Sequence, residues 1–132
     1  MVVKNTSQIG KELRISRFLN PKSQRCVMVA YAHGVLLGPI PGMTTNDEIK
    51  KQNETLRGAD AILMPMGFLP ACQDLFTGDD APEMIALWDW QSVSRPKNHV
   101  GYVEGAVEPI TSIDRVLASG ATGVMTYLFI GQ

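Results

Sequence analysis

Cysteine is scarce in this sequence. The chain has two, Cys26 and Cys72, and they are too far apart for a C-x-x-C motif. A cysteine-based metal site or redox pair is therefore not expected, and the apolar neighbours of both thiols favour packing in the core. Gly34, Gly38 and Gly42 are spaced by four residues and not as G-x-G-x-x-G, so no dinucleotide loop or other cofactor site is expected.

Charge of one sign and long apolar runs are also lacking. Twelve basic and thirteen acidic residues leave a net charge of -1, without an extended run of like charges, so no nucleic acid or charged membrane is expected as a partner. The longest apolar runs, residues 27–31 and 61–66, are far below the roughly 20 residues that span a bilayer. Because the first residues also lack the apolar core of a signal peptide, a cytoplasmic protein is expected.

Apolar residues are nevertheless numerous enough for a folded core. They make up 45% of the 132 residues, which predicts one domain over residues 1–132. Ile9, Leu13 and Phe18 follow near-helical spacing before Asn20-Pro21, which predicts an amino-terminal helix at about residues 6–19. We expect β/α units to fill residues 26–132.

The most informative segment is the apolar run that ends in a histidine. Val27–Tyr31 shows little polar alternation, as expected of a strand covered on both faces in a parallel sheet. His33 follows it and opens a loop that extends from Gly34 to Gly42 and contains Pro39. In α/β barrels the loops after the carboxyl ends of the strands form the active site, so His33 is the first candidate for chemistry.

A helix that begins at a capping box follows the first strand and completes a β/α/β unit with the strand after it. Thr45 and Glu48 have the spacing in which each side chain bonds to the backbone of the other residue, and the helix that they begin should extend to Arg57. Gly58 is predicted to end it in a left-handed conformation. The apolar segment Ala61–Met66 then predicts the second strand.

The later elements follow the same order. A short helix should end near Phe76, and Met84–Asp89 is predicted to be the third strand. A polar stretch comes next. Thr111–Asp114 is predicted to be the capping box of a helix that ends at Gly120, and Gly123–Phe129 is predicted to be the fourth strand.

Two segments resemble each other and mark successive returns from helix to strand. Leu56–Met64 and Ala118–Met125 both contain a helix end, Gly-Ala, a polar residue, a small residue and an apolar run. Right-handed crossovers of this kind predict an α/β fold with four parallel strands in sequential order. The alternative is a small open doubly wound sheet, which usually has a phosphate-binding glycine pattern after its first strand.

These motifs together resemble the archaeal-type class I fructose-bisphosphate aldolases, whose relatives include deoxyribose-phosphate aldolase and the autoinducer-2 thiolase. The resemblance rests on Val27–Gly42, on the Gly58-Ala-Asp-Ala return and on Tyr127–Gly131, and it extends from the amino-terminal helix to the end of the chain. It implies a TIM barrel. It also implies a Schiff base between a strand lysine and a ketose or related carbonyl phosphate, formed without a metal.

The chain departs from this family in two respects. The first-strand motif of the family is Asp-His-Gly, whereas this chain has Ala32 before His33, so a catalytic carboxylate is absent. A (β/α)8 barrel takes about 250 residues, so 132 residues correspond to its first half, four parallel strands preceded by a helix. The family's lysine and phosphate loops belong to the later strands, and no lysine of this chain falls inside a predicted strand.

A half-barrel has open strand edges and needs a partner surface. Unpaired buried backbone groups cost about 1 to 3 kcal/mol each, against a total stability of about 5 to 15 kcal/mol. We therefore expect either a homo-oligomer or a complementary half-barrel chain, and a sugar phosphate as the small-molecule ligand.

Three side chains are candidates for chemistry. The resemblance to the thiolase-like relatives implies a catalytic role for His33, which would otherwise be read as a core histidine. Asp89, between Trp88 and Trp90, would point toward the barrel mouth if the tryptophans face the helices, but the three residues can equally seal the barrel top. Tyr127 in the fourth strand can offer a hydroxyl to a substrate or simply pack.

Three functions remain open at this point. The first is a class I aldolase-like enzyme that is catalytically incomplete as this chain. The second is a non-catalytic oligomerising or ligand-binding half-barrel, which the alanine at position 32 favours. The third is thiolase-like acyl transfer that uses His33.

Overall fold

The computed structural model describes residues 5–93 and 105–130. The chain begins with helix α1 (Thr6–Phe18), strand β1 (Met28–Ala30) and helices α2 (His33–Leu37) and α3 (Asn46–Leu56). Strand β2 (Ala61–Pro65) leads into helix α4 (Leu69–Cys72), which has a 3₁₀ turn on either side (Met66–Phe68 and Gln73–Phe76). The remaining elements are β3 (Glu83–Leu87), β4 (Asp89–Gln91), β5 (Val107–Pro109), α5 (Ile113–Ala118) and β6 (Gly123–Met125).

Four of the strands form one parallel sheet in the order β1-β2-β3-β6. Ala30 pairs with Leu63, Leu63 with Ile85 and Ile85 with Gly123, so the strands lie in chain order. The predicted α/β class, with four parallel strands after an amino-terminal helix, is confirmed. This arrangement is consistent with half of a (β/α)8 barrel.

The sheet is covered on both faces near its centre. All five residues of β2 are buried. On one face, Ile62 and Met64 pack with Ile49 of α3 and with Cys72 of α4. The other face, which we call the inner face, consists of Ala61, Leu63, Ile85 and Leu87, with Ala32 beside them. Phe18 of α1, Val35 and Leu36 of α2, and Met125 and Tyr127 pack against the inner face.

The two edge strands are much more exposed than the centre. At the β1 edge, 61% of Val27 and 44% of Met28 is accessible, and at the β6 edge 45% of Val124 is accessible. Leu128 is 82% exposed just beyond β6. Parallel sheets normally have both faces and both edges covered, so the apolar surface at these edges favours a further layer of protein.

The predicted starts of the first long helices are confirmed. Asn5 caps α1 in a capping box with Gln8, and Thr45 caps α3 in the predicted box with Glu48. The predicted left-handed conformation of Gly58 is wrong, because its φ is not positive. The turn after α3 closes instead through a hydrogen bond of 3.1 Å from the Ala59 nitrogen to the Leu56 carbonyl.

The predicted box at Thr111–Asp114 is also wrong by one residue. Ser112 is the residue that caps α5, and its hydroxyl accepts a hydrogen bond of 3.2 Å from the Arg115 nitrogen. The third helical residue is then Arg115, whose guanidinium cannot return the bond. The Thr111 hydroxyl is buried and has no partner among the described residues. Gly120, in contrast, follows the helix with a φ of 81°, as a helix end requires.

The third and fourth strands are shorter than predicted. Parallel pairing stops after Leu87, because the Trp88 carbonyl accepts a hydrogen bond of 2.9 Å from the nitrogen of Ile110. Asp89 then begins β4, which pairs with β5 in an antiparallel ribbon. The last strand ends at Met125 instead of Phe129, since the Tyr127 nitrogen beyond it bonds to the Asp89 carboxylate and not to the backbone of a neighbouring strand.

Across the described ranges, none of the helices combines the length and apolar character that crossing a membrane requires.

Candidate functional site

The carboxyl ends of the four parallel strands lie at one edge of the sheet. His33 follows β1 after two residues, Asp89 follows β3 and Tyr127 follows β6. The structure therefore places the three predicted candidates at the same edge, where a parallel α/β fold carries its site. Helix α2, which begins at His33, packs against the strand that begins at Asp89.

His33 lies in a helix and not in the predicted loop. It is the first residue of α2 and its side chain is exposed, so the alternative of a core histidine does not apply. The helix forms because the Ala32 carbonyl accepts hydrogen bonds from Val35 and Leu36, at 3.2 and 3.3 Å. These two residues bury their side chains against the inner face. As a result, Gly34 is also helical, and an added Cβ there would lie 2.9 Å from the Phe68 ring.

The loop after α2 is shorter than predicted, and two of its glycines have a left-handed backbone. Gly38 and Gly42 have φ angles of 83° and 85°, and Pro39 lies between them. The loop is attached to the sheet through Gln52 of α3. Its amide donates a hydrogen bond of 2.7 Å to the Gly42 carbonyl, and its carbonyl accepts one of 2.8 Å from the Tyr31 hydroxyl.

Asp89 is fully buried. Its carboxylate accepts a hydrogen bond from the Thr126 hydroxyl and is 3.1 and 3.2 Å from the backbone nitrogen of Tyr127. The flanking Trp88 and Trp90 are both half-buried. The carboxylate thus connects β4 to the segment that follows β6.

Tyr127 is half-buried, and its ring stacks on Phe129 with a centroid distance of 6.3 Å and an interplanar angle of 7°. Burial raises the pKa of its hydroxyl, and the nearby charge of Asp89 raises this pKa further, while a hydrogen bond with the Gln91 side chain lowers it. A phenol with a raised pKa stays protonated near neutral pH, so Tyr127 is available as a hydrogen-bond donor.

The β4–β5 ribbon at this edge was not predicted from the sequence. Asp89, Gln91 and Ser92 are almost inaccessible, and the Ser92 hydroxyl accepts a hydrogen bond of 2.7 Å from the Ala106 nitrogen. The strand that pairs with residues 89–91 consists of residues 107–109, which lie 16 to 20 positions further along the chain, so the local sequence alone does not indicate the ribbon. His99, which its polar neighbours Lys97 and Asn98 indicate to be solvent-exposed, lies outside the described residues.

The described residues bring no three histidine, cysteine or acidic side chains close enough together to hold a metal ion. Four lysines can be located: Lys11, Lys22, Lys50 and Lys51 are all exposed on helices or loops. Lys4 and Lys97 lie outside the described residues. Asp60 is at the opposite, amino edge of the sheet, where its carboxylate accepts a hydrogen bond of 2.6 Å from the Val27 nitrogen.

A groove of about 560 Å³ also lies away from the candidate site. It is formed between the segment from α4 to the start of β3 and the turn that follows α5, and Asp79, Glu83 and Gly120 are among the residues that line it. Glu83 is the first residue of β3, which places the groove near the amino ends of the strands.

Comparison with known proteins indicates a similarity to an aldolase. No protein-family model matches the chain. Over 123 residues the chain is 29% identical to an uncharacterized aldolase of Saccharolobus solfataricus. The match covers 93% of this chain and 44% of that aldolase, so the chain spans less than half the length of its relative. The similarity supports an aldolase-like family.

Proposed function

We propose that this chain is the amino-terminal half of a class I aldolase-like barrel that acts on a sugar phosphate or related carbonyl phosphate once a second half completes it. The observation that carries this proposal is the position of His33, Asp89 and Tyr127 at the carboxyl edge of four sequentially ordered parallel strands. Similarity to an aldolase more than twice as long supports the same conclusion.

The chemistry divides between the two halves. In class I catalysis a lysine amine attacks the substrate carbonyl and forms an imine, which requires a lysine with a depressed pKa. The described lysines are exposed and none lies in a strand, so this amine would come from the second half. His33 would move a proton at this edge, and Tyr127 would donate a hydrogen bond to a substrate oxygen. The glycine loop from Gly38 to Gly42 would approach the ligand with its backbone.

For the chain on its own, a second copy is the partner that we propose for the open edges; because it has the same exposed lysines, it covers the edges but does not supply the catalytic amine. Each copy has one exposed edge at β1 and another at β6, so two copies related by a two-fold axis would bring each β6 next to the other's β1. The apolar residues Met28 and Val124 would be covered in this way. The net charge of -1 opposes such a pairing very little.

One specific observation favours a second function, a non-catalytic ligand-binding or oligomerising module. Ala32 stands where the resembling family has an aspartate, and it is 3% exposed among the apolar side chains of the inner face. Without a carboxylate at position 32, His33 has no adjacent acidic group with which it would share a proton. Thiolase-like acyl transfer by His33 has no separate structural support.

Borohydride trapping tests the proposal directly. The chain is incubated with dihydroxyacetone phosphate and sodium borohydride, alone and together with the part of the Saccharolobus aldolase that the match does not cover. We expect no covalent adduct on this chain in either reaction and an adduct on the aldolase part in the mixture. Turnover, measured without borohydride because reduction blocks the lysine, is expected only in the mixture. An adduct on this chain alone would overturn the assignment of the lysine to the second half. Binding without turnover in a stable mixture would favour the module.

Light scattering at several concentrations tests the partner. A dimer that persists on dilution supports self-completion of the barrel. A monomer that unfolds cooperatively contradicts it. Polydisperse aggregates that disappear when the second half of the aldolase is added would mean that the partner is a complementary chain and not a second copy.

A further inference from the structure

We infer that Asp89 is a positioning residue: its buried carboxylate holds the segment after β6 in the one conformation that presents the Tyr127 hydroxyl at the carboxyl edge of the sheet. The inference rests on the proposed function in one respect, namely that the Tyr127 hydroxyl serves to bind a substrate oxygen. The contacts that it describes do not depend on any activity.

The hydrogen bonds between β3 and β6 stop before they reach Tyr127. Leu87 pairs with Met125, and the Trp88 nitrogen donates a hydrogen bond of 3.1 Å to the Met125 carbonyl. In a parallel ladder that continues, the next bond would run from the Tyr127 nitrogen to the Trp88 carbonyl. This carbonyl instead accepts a hydrogen bond of 2.9 Å from Ile110. The Tyr127 nitrogen therefore needs another acceptor.

Asp89 supplies that acceptor. Its carboxylate lies 3.1 and 3.2 Å from the Tyr127 nitrogen and also accepts a hydrogen bond from the Thr126 hydroxyl. A fully buried carboxylate is stable only when its oxygens are paired, so the chain that pairs them is fixed in turn. Because none of its surface is accessible, the carboxylate holds Thr126 and Tyr127 and does not itself reach a ligand.

The same strand holds Tyr127 at a second point. Gln91 follows Asp89 by two residues in β4, and its side chain hydrogen-bonds with that of Tyr127. Backbone and phenol are therefore both tied to β4, while the ring stacks on Phe129. A hydroxyl fixed in this manner loses little conformational entropy when it binds a substrate oxygen.

The electrostatic consequence can be measured. Burial first and the charge of Asp89 second raise the pKa of Tyr127. Asp89→Asn keeps the shape and removes the charge, so the pKa of Tyr127 should fall. Asp60→Asn is the matched control, because it removes the same charge from a carboxylate that also binds a backbone nitrogen, but at the amino edge.

The experiment is an NMR titration of the full chain, in which tyrosine carries carbon-13 at the ring carbon that bears the hydroxyl. Tyr127→Phe assigns the signal. We expect the midpoint of the Tyr127 titration to move to lower pH in Asp89→Asn and to stay in place in Asp60→Asn. Amide exchange at Tyr127 should be at least about tenfold faster in Asp89→Asn, which corresponds to a loss of about 1.4 kcal/mol. An unchanged midpoint and unchanged exchange in the folded variant would overturn the inference.

Thr126→Val provides the second variant in case Asp89→Asn does not fold. It removes one partner of the carboxylate and leaves the charge in place. We expect faster amide exchange at Tyr127 and a phenol pKa that remains raised. Exchange as slow as in the unaltered chain would contradict the positioning role. Since none of these readouts needs a substrate, failure of the aldolase proposal would leave them unaffected.

Discussion

The hydroxyl of Tyr31, one residue beyond β1, donates a hydrogen bond of 2.8 Å to the side-chain carbonyl of Gln52 in α3. The amide of the same glutamine donates to the Gly42 carbonyl at 2.7 Å. One side chain therefore joins the first strand, the third helix and the glycine loop at the candidate site.

Gln52→Ala should loosen this loop and destabilise the fold. The substitution leaves the partly buried Tyr31 hydroxyl and the Gly42 carbonyl without these partners, at a cost of about 1 to 3 kcal/mol. Urea denaturation should show the loss, and hydrogen exchange should show faster exchange over residues 38–44. Lys51→Ala is the control, because Lys51 is the exposed neighbour in the same helix. An equal effect of the two substitutions would contradict the role of Gln52.

Gly38→Ala should destabilise the protein although the space around Gly38 is empty. Its φ of 83° and ψ of -168° lie in a region that side chains other than glycine rarely adopt. The expected cost is about 1 to 3 kcal/mol, measured by thermal or urea denaturation. Gly58→Ala is the matched control, since Gly58 has equally open surroundings without a positive φ. That change should be neutral or stabilise by up to about 1 kcal/mol. If both alanines behave alike, the backbone of Gly38 is not strained.

The sequence is a good guide where structure is decided locally or by continuous burial. The box between Thr45 and Glu48 involves residues three positions apart, and it forms as predicted. The fully buried β2 coincides with an apolar run, because both faces of that strand are covered. The amino-terminal helix likewise ends within one residue of its predicted end, just before Asn20-Pro21.

The errors occur where a distant partner decides the outcome. The third strand ends before Trp88 because the Trp88 carbonyl accepts a hydrogen bond from the Ile110 nitrogen, and nothing near Trp88 in the sequence indicates this. Tyr127 was expected within a strand and instead bonds to a carboxylate 38 residues earlier. At the candidate site the positions of His33, Asp89 and Tyr127 at one edge follow from the predicted strand order. Their contacts depend on the unpredicted ribbon.

Alkaline pH should destabilise the protein from about pH 9 upward. Burial raises the pKa of Cys72 above 9.0, and it raises the pKa values of Tyr31 and Tyr127 above 10.0, so the folded state keeps protons that the unfolded state has released. Their stabilisation is complete below the unfolded pKa values and is lost as pH rises through the folded ones. The measurement is the urea midpoint at a series of pH values from 7 to 11.

Cys72→Ser separates the thiol from the phenols. The serine hydroxyl does not titrate in this range, so the decline should begin nearer pH 10 in the variant. The thiol lies 3.5 Å from the Asn53 side-chain oxygen, a contact that serine can keep. A midpoint that rises with pH, or a variant whose decline begins at the same pH as that of the unaltered chain, would contradict the prediction.

Ala32→Asp tests whether this position still accepts the carboxylate of the resembling family. Ala32 caps α2 without a side-chain hydrogen bond, so an aspartate would add a cap that stabilises by about 0.5 to 2 kcal/mol. The position is 3% exposed and packs with Leu63 and Leu87, where burial of a charge costs several kcal/mol. We expect the second effect to dominate and the free energy of unfolding at pH 8 to fall.

The pH dependence of that loss distinguishes a charge effect from a change in packing. Burial raises the pKa of an introduced carboxyl, so the folded variant would hold a proton that the unfolded chain releases, and the loss should shrink as pH falls from 8 to 5. Ala32→Ser adds a neutral cap of similar size and should change stability little at either pH. A loss in Ala32→Asp that is independent of pH would mean that steric crowding, and not charge, excludes the carboxylate. A more stable Ala32→Asp would show that the inner face of the sheet still tolerates the acidic group that the resembling family has at this position.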